Sequence, residues 1–101
     1  MQIQIEYNSP FDNINIFFDL NKNLFICNGK KVSKSMYEFK EILLNIIFAW
    51  DYEMINNELK DAESYKIDLT TEDGDFHFIG QGFYPENFND FKKLIMEVAN
   101  G

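Results

Sequence analysis

Arginine is missing from all 101 residues, and cysteine, histidine and tryptophan occur once each. Without arginine the chain has no planar, bidentate group for clamping phosphates. Nine lysines against seventeen acids leave a formal net charge of −8. Direct binding to nucleic acid or to an anionic membrane is disfavoured by that balance. The lone Cys27 cannot close an internal disulfide and has no CxxC companion for zinc or redox work. It reads as a small buried hydrophobe in a cytoplasmic chain. No stretch of about 18 uncharged apolar residues exists to cross a membrane as a helix. The start, Met1-Gln2-Ile3-Gln4-Ile5-Glu6, has neither the basic nor the apolar region of a secretory signal. Phosphate-binding glycine loops, HExxH and a nucleophile elbow are also missing. The chain is not expected to be an enzyme, and no cofactor or metal is expected.

What is present is apolar material and acid. Hydrophobic residues make up 46% of the chain, with eleven Phe and five Tyr, too much for a disordered acidic tail. One domain over residues 1–101 is expected at this length. The charge is lopsided. Residues 1–50 carry five acids and five lysines, whereas residues 51–101 carry twelve acids and four lysines. Nine of those twelve acids fall in residues 51–75.

Periodicity supplies the elements. Ile3, Ile5 and Tyr7 alternate with Gln2, Gln4 and Glu6, which is a half-buried strand. Ser9-Pro10-Phe11-Asp12 turns the chain into a second strand with Ile14, Ile16, Phe18 and Leu20 on one face. Leu24 to Cys27 is a third strand, and Asn28-Gly29 predicts a type I′ turn after it. Ser35 and Glu38 have capping-box spacing ahead of a first helix. Its main stripe is Met36, Phe39, Leu43, Ile46, Ile47 and Trp50, with Tyr37, Leu44 and Phe48 as a second stripe. Residues 51–64 read as an acidic loop with one short helical turn. Tyr65, Ile67 and Leu69 then alternate as a strand, and Asp73-Gly74 turns it onto Phe76 to Ile79. The pair Gly80 and Gly82 suits a bulge or a close backbone approach. Asn87 is the expected N-cap of a second helix with Phe88, Phe91, Leu94, Ile95 and Val98 buried. The predicted fold is α+β, an antiparallel sheet in the order βββ-α-ββ-α with both helices on one face.

The single histidine, His77, falls on the polar side of its strand, where a surface or cross-strand role outweighs catalysis. Glu72-Asp73-Gly74-Asp75 lacks EF-hand spacing and is explained by its turn. The acidic stretch is the remaining candidate. Asp51, Glu53, Glu58, Asp61, Glu63, Asp68, Glu72, Asp73 and Asp75 would supply negative potential, with Tyr52 and Met54 as apolar anchors. Such a face steers association with a basic protein.

A short pattern adds to this. Trp50 at the end of a helix, Tyr65, Gly80 and the helix start Pro85, Asn87 and Phe88 resemble the small acidic immunity proteins of bacterial toxin loci. The resemblance covers about the second half of the chain. It implies a non-catalytic inhibitor of a nuclease-type toxin, and it transfers no catalytic or binding residue. Small phage anti-CRISPR proteins share the profile and would use the same face as a nucleic-acid mimic. From the residues alone, a self-associating module pairing through helix 36–50 is a third expectation.

Overall fold

A computed structural model describes residues 1–56, 63–82 and 84–101. Strand β1 (Gln2–Asn8) buries Ile3, Ile5 and Tyr7 and turns Gln2 and Gln4 to solvent, as its period of two dictates. It pairs antiparallel with β2 (Asn13–Asp19) on one side and with β6 (Ser64–Thr71) on the other. Strands β3 (Leu24–Cys27) and β4 (Lys30–Lys31) continue outward from β2. Beyond β6 lie β7 (Gly74–Gln81) and β5 (Glu53–Ile55), giving the order β4-β3-β2-β1-β6-β7-β5. Every pairing is antiparallel except β5 with β7.

Register places the large side chains in rows across one face. Phe25, Phe18, Ile3, Leu69 and Phe76 form one row, and Tyr7, Tyr65 and Gly80 form another. Helix α1 (Met36–Ile47) covers the first row: Phe39 packs on Phe18 and Phe25, and Phe48, just past its end, meets Phe76 edge-on. Helix α2 (Phe88–Asn100) begins over the second row, where Phe91 packs on Tyr65. The two helices also touch each other. Both therefore share the sheet face that carries the core. The buried apolar side chains of sheet and helices form one cluster. Each large one contributes about 1.5–3 kcal/mol by leaving water.

The sheet is larger than the predicted order allows. The extra strands are β4, two lysines returning from the Asn28-Gly29 turn, and β5, three residues inside the stretch read as a loop. Neither has an apolar alternation to announce it. No helical turn is seen between Asp51 and Asn56. Helix α1 stops at Ile47, so Trp50 lies beyond its end rather than on its stripe. Trp50 is nonetheless buried among Tyr65, Phe88 and Phe91, and its indole N–H donates to the Glu86 carbonyl at 2.8 Å. This ties the exit of α1 to the entry of α2.

Turn chemistry is mostly where expected. Asn28 and Gly29 both have positive φ, 50° and 81°, as a type I′ turn requires. The β6–β7 turn is displaced by one residue: Thr71 pairs with Gly74, so Glu72 and Asp73 form the loop. The Thr71 hydroxyl accepts from the Asp73 amide and donates to the Gly74 carbonyl, holding that position. Asn87 does stand at the N-cap of α2, but in the left-handed region with no capping bond from its side chain. Asp19, which alternation alone would put on the polar face, is buried. Its carboxylate accepts from the amides of Asn21 and Lys22 and from the Gln2 side chain. Burial opposes its ionisation, but these donors prevail and hold the carboxyl below its usual range.

Candidate functional site

The acidic residues of the second half concentrate on one edge of the sheet. β5, β6, β7 and the turn between the last two carry Glu53, Asp68, Glu72, Asp73 and Asp75 against Lys66. The opposite edge, β3, β4 and their turns, carries Lys22, Lys30 and Lys31 and no acid. Six inter-strand steps separate β4 from β5, about 29 Å at the usual spacing. That exceeds the Debye length of about 8 Å at physiological salt, so the two edges do not neutralise each other. The lopsided charge of the chain becomes a gradient across the sheet.

Aromatic surface lies on the same edge. Tyr52, just before β5, is 56% exposed and rests on the buried Phe78, ring centroids 5.1 Å apart. Phe48 is 53% exposed and meets Phe76 at 5.8 Å. Phe76 and Phe78 stand two residues apart on the same side of β7, so Tyr52 and Phe48 cover neighbouring positions along that strand. On the open face, Ile55 and Ile79 are also exposed. Phe48 and Phe76 are not among the partner-binding candidates read from the sequence. Phe48 was readable there only as part of a second helical stripe.

The other candidates are distributed as follows. Asp51, Tyr52 and Glu53 are exposed and contiguous with β5, and Met54 is half-buried toward the helices. Glu72, Asp73 and Asp75 are exposed at the tip of the β6–β7 hairpin. Asp68 faces His77 across that hairpin, Oδ1 to Nδ1 2.6 Å, so its carboxylate is engaged within the sheet. Glu58 and Asp61 lie outside the described residues.

Glu63 differs from the other acids in its partners. It precedes β6 at the end opposite the hairpin tip, beside Gly82 and the end of β5, and its side chain turns to the helix side. Its Oε1 accepts from the Tyr7 hydroxyl and from Lys92 Nζ, both at 2.5 Å. Burial opposes charge there, but the Lys92 and Tyr7 donors outweigh it and keep the carboxyl below its ordinary range. The same contact, with burial as the larger cause, holds the Tyr7 hydroxyl far above the usual phenol range. Glu63 therefore clamps β1 and α2 to the start of β6. A lowered carboxyl pKa stabilises the fold above the unfolded value and ceases to do so as pH falls through the folded value. Glu63→Gln is expected to lose about 1.5 kcal/mol at pH 7. The difference from wild type should shrink as pH falls below the ordinary carboxylate range, as urea titrations at neutral and acid pH would show.

A cleft of about 600 Å³ beside this clamp is lined by Glu63, Tyr84, Pro85, Asn87, Phe88, Asn89 and Asp90. Others run between the helices, along Ile42, Ile46 and Leu94, and Ile42 stays exposed there. His77 lines none of these clefts. Among the described residues no three His, Cys, Asp or Glu side chains gather as a metal site would. None of the described helices is long and apolar enough to cross a membrane. The thiol of Cys27 is buried, which pushes its pKa up.

Comparison with protein families, with curated proteins and with solved structures returns no match.

Proposed function

We propose that this protein is a non-catalytic binding module of the cytoplasm that docks a basic protein against its β5–β7 edge. The target would be a nuclease-type toxin, and the protein would act as its immunity partner. One observation carries the reading: exposed aromatic surface at Tyr52 and Phe48 coincides with the acidic end of the charge gradient. An aromatic anchor inside a charged rim is the usual composition of a protein-binding hot spot. The mechanism would be occlusion. Asp51, Glu53 and Asp75 carboxylates take the places that substrate phosphates occupy in a nuclease cleft, and Tyr52 buries against its wall.

The variant Asp51→Lys/Glu53→Lys/Asp75→Lys tests this, because all three side chains are exposed and none makes an ion pair within 4 Å among the described residues. The wild type, immobilised in source-cell lysate at low salt, is expected to retain a basic nuclease and to inhibit it. The variant should release that nuclease while unfolding at the same temperature as wild type. Equal retention by both proteins would overturn the reading.

A further inference from the structure

Among the described residues β5 is the last strand of the sheet, and its outer backbone has no partner. In a parallel pair, alternate residues turn both N–H and C=O toward the neighbour. The Ile79 amide donates to the Tyr52 carbonyl at 2.8 Å, and the Asn56 amide donates to the Gln81 carbonyl at 2.7 Å. Even-numbered residues of this segment thus face β7, and the isolated bridge from Ile55 to Gly82 lies on that inner side. Glu53 and Ile55 turn their own backbone groups outward. The opposite edge is protected, since β4 is only two residues long and both are lysines, a common way to prevent strand pairing. β5 carries neither lysine nor proline, and it keeps Ile55 exposed.

We infer that β5 is a strand-addition site: a basic partner lays an extended segment along it and hydrogen-bonds to the backbone of Glu53 and Ile55. This rests on the acidic-edge reading and specifies how the partner is held. Charge decides the occupant. Asp51 and Glu53 stand at the start of the open backbone, so an incoming strand rich in lysine or arginine gains charge pairing there. Its alternate apolar side chains would meet Ile55 and Ile79 on the open face, or Tyr52 on the other. A second copy is the weaker occupant. Its β5 would bring acid against acid. Its β4 would join head to tail without closing, and growth of such a chain is opposed by a net charge of −8 per copy.

The test uses the intact, isotope-labelled protein and three capped peptides of about eight residues. One alternates lysine and valine. The second has the same side chains with ester oxygens replacing the backbone N–H groups. The third has glutamate for lysine. The lysine peptide should bind at low salt and slow hydrogen exchange at the Glu53 and Ile55 amides. The ester version should bind at least about tenfold more weakly, because its charge is kept and its donors are gone. The glutamate peptide should not bind. Equal affinity of the lysine peptide and its ester would overturn strand addition and leave the acidic docking surface standing. No binding of either lysine-bearing peptide would overturn both. Protection of the two amides by protein concentration alone would overturn the inference in favour of the second copy.

Discussion

Replacing Gly80 by alanine is expected to cost about 3 kcal/mol, the upper end of what overpacking a core does. A Cβ on Gly80 would lie 2.2 Å from Tyr65 Cε1 and 2.6 Å from its hydroxyl oxygen. The two residues are direct partners in the β6–β7 register, and the Tyr65 ring reaches over the glycine because no side chain is there. The ring cannot move away, since Trp50, Phe88 and Phe91 hold it from the helix side. Against a typical total of about 5–15 kcal/mol, such a loss is a large fraction of the stability. Urea unfolding would measure it. The cause can be isolated by repeating the substitution in a Tyr65→Leu background, where the offending ring atoms are gone. There Gly80→Ala should cost less than half as much, and equal costs in the two backgrounds would show that the contact is not responsible.

The second large effect lies at alkaline pH. Burial, with the Asp51 charge as a lesser cause, pushes the Tyr65 hydroxyl up to about 12. Tyr7 is held higher still by burial and by Glu63. A phenol whose folded pKa exceeds its unfolded value stabilises the fold fully below about pH 10 and loses that contribution as pH rises toward the folded value. Each tyrosine therefore removes at most about 1.4 kcal/mol per pH unit in that range, less near its ends. Between pH 10 and 12 the two together should remove about 4 kcal/mol. Tyr65→Phe and Tyr7→Phe should each halve the slope of stability against pH. They differ at neutral pH. The Tyr65 hydroxyl is buried with no hydrogen-bond partner, so deleting it should leave stability unchanged or slightly raised. Deleting the Tyr7 hydroxyl takes a donor from Glu63 and should cost about 1 kcal/mol. A double variant that kept the full alkaline slope would contradict the assignment.

Much of the fold is legible in local pattern. Ile3, Ile5 and Tyr7, like Ile14, Ile16 and Phe18, point inward because a strand on a one-sided core must alternate. Asn28-Gly29 makes its turn because only such residues accept two successive positive φ values cheaply. The buried stripe of α2 follows in the same way, whereas what comes close at Gly80 is the Tyr65 ring rather than a backbone. The strands that escaped notice are those whose existence depends on a distant neighbour. β5 is three residues held by parallel bonds to β7, and β4 is two lysines held by β3. Neither carries a periodic signal, so no local reading could separate them from loop.

The candidate site was legible to a similar degree. Concentration of acid in residues 51–75 is a property of the sequence, and the sheet order turns it into an edge. That the Glu63 carboxylate is engaged within the fold rather than free on this edge could not be read locally. Its partners Tyr7 and Lys92 lie 56 and 29 residues away, and only the packing of β1, β6 and α2 unites them. The same holds for Phe48, whose position beside Tyr52 depends on β7 running under both. Charged and aromatic residues can be counted in a sequence, but their coincidence on one surface is a tertiary fact.

The most direct test of the acidic edge is the association rate with the proposed basic partner, followed by stopped-flow fluorescence over a range of ionic strength. For the wild type, the rate should fall by about tenfold or more from low to physiological salt, as steering by Asp51, Glu53 and Asp75 requires. The triple lysine variant should associate slowly at low salt and show almost no salt dependence. Identical rates and identical salt dependence for the two proteins would contradict the acidic edge as the binding surface.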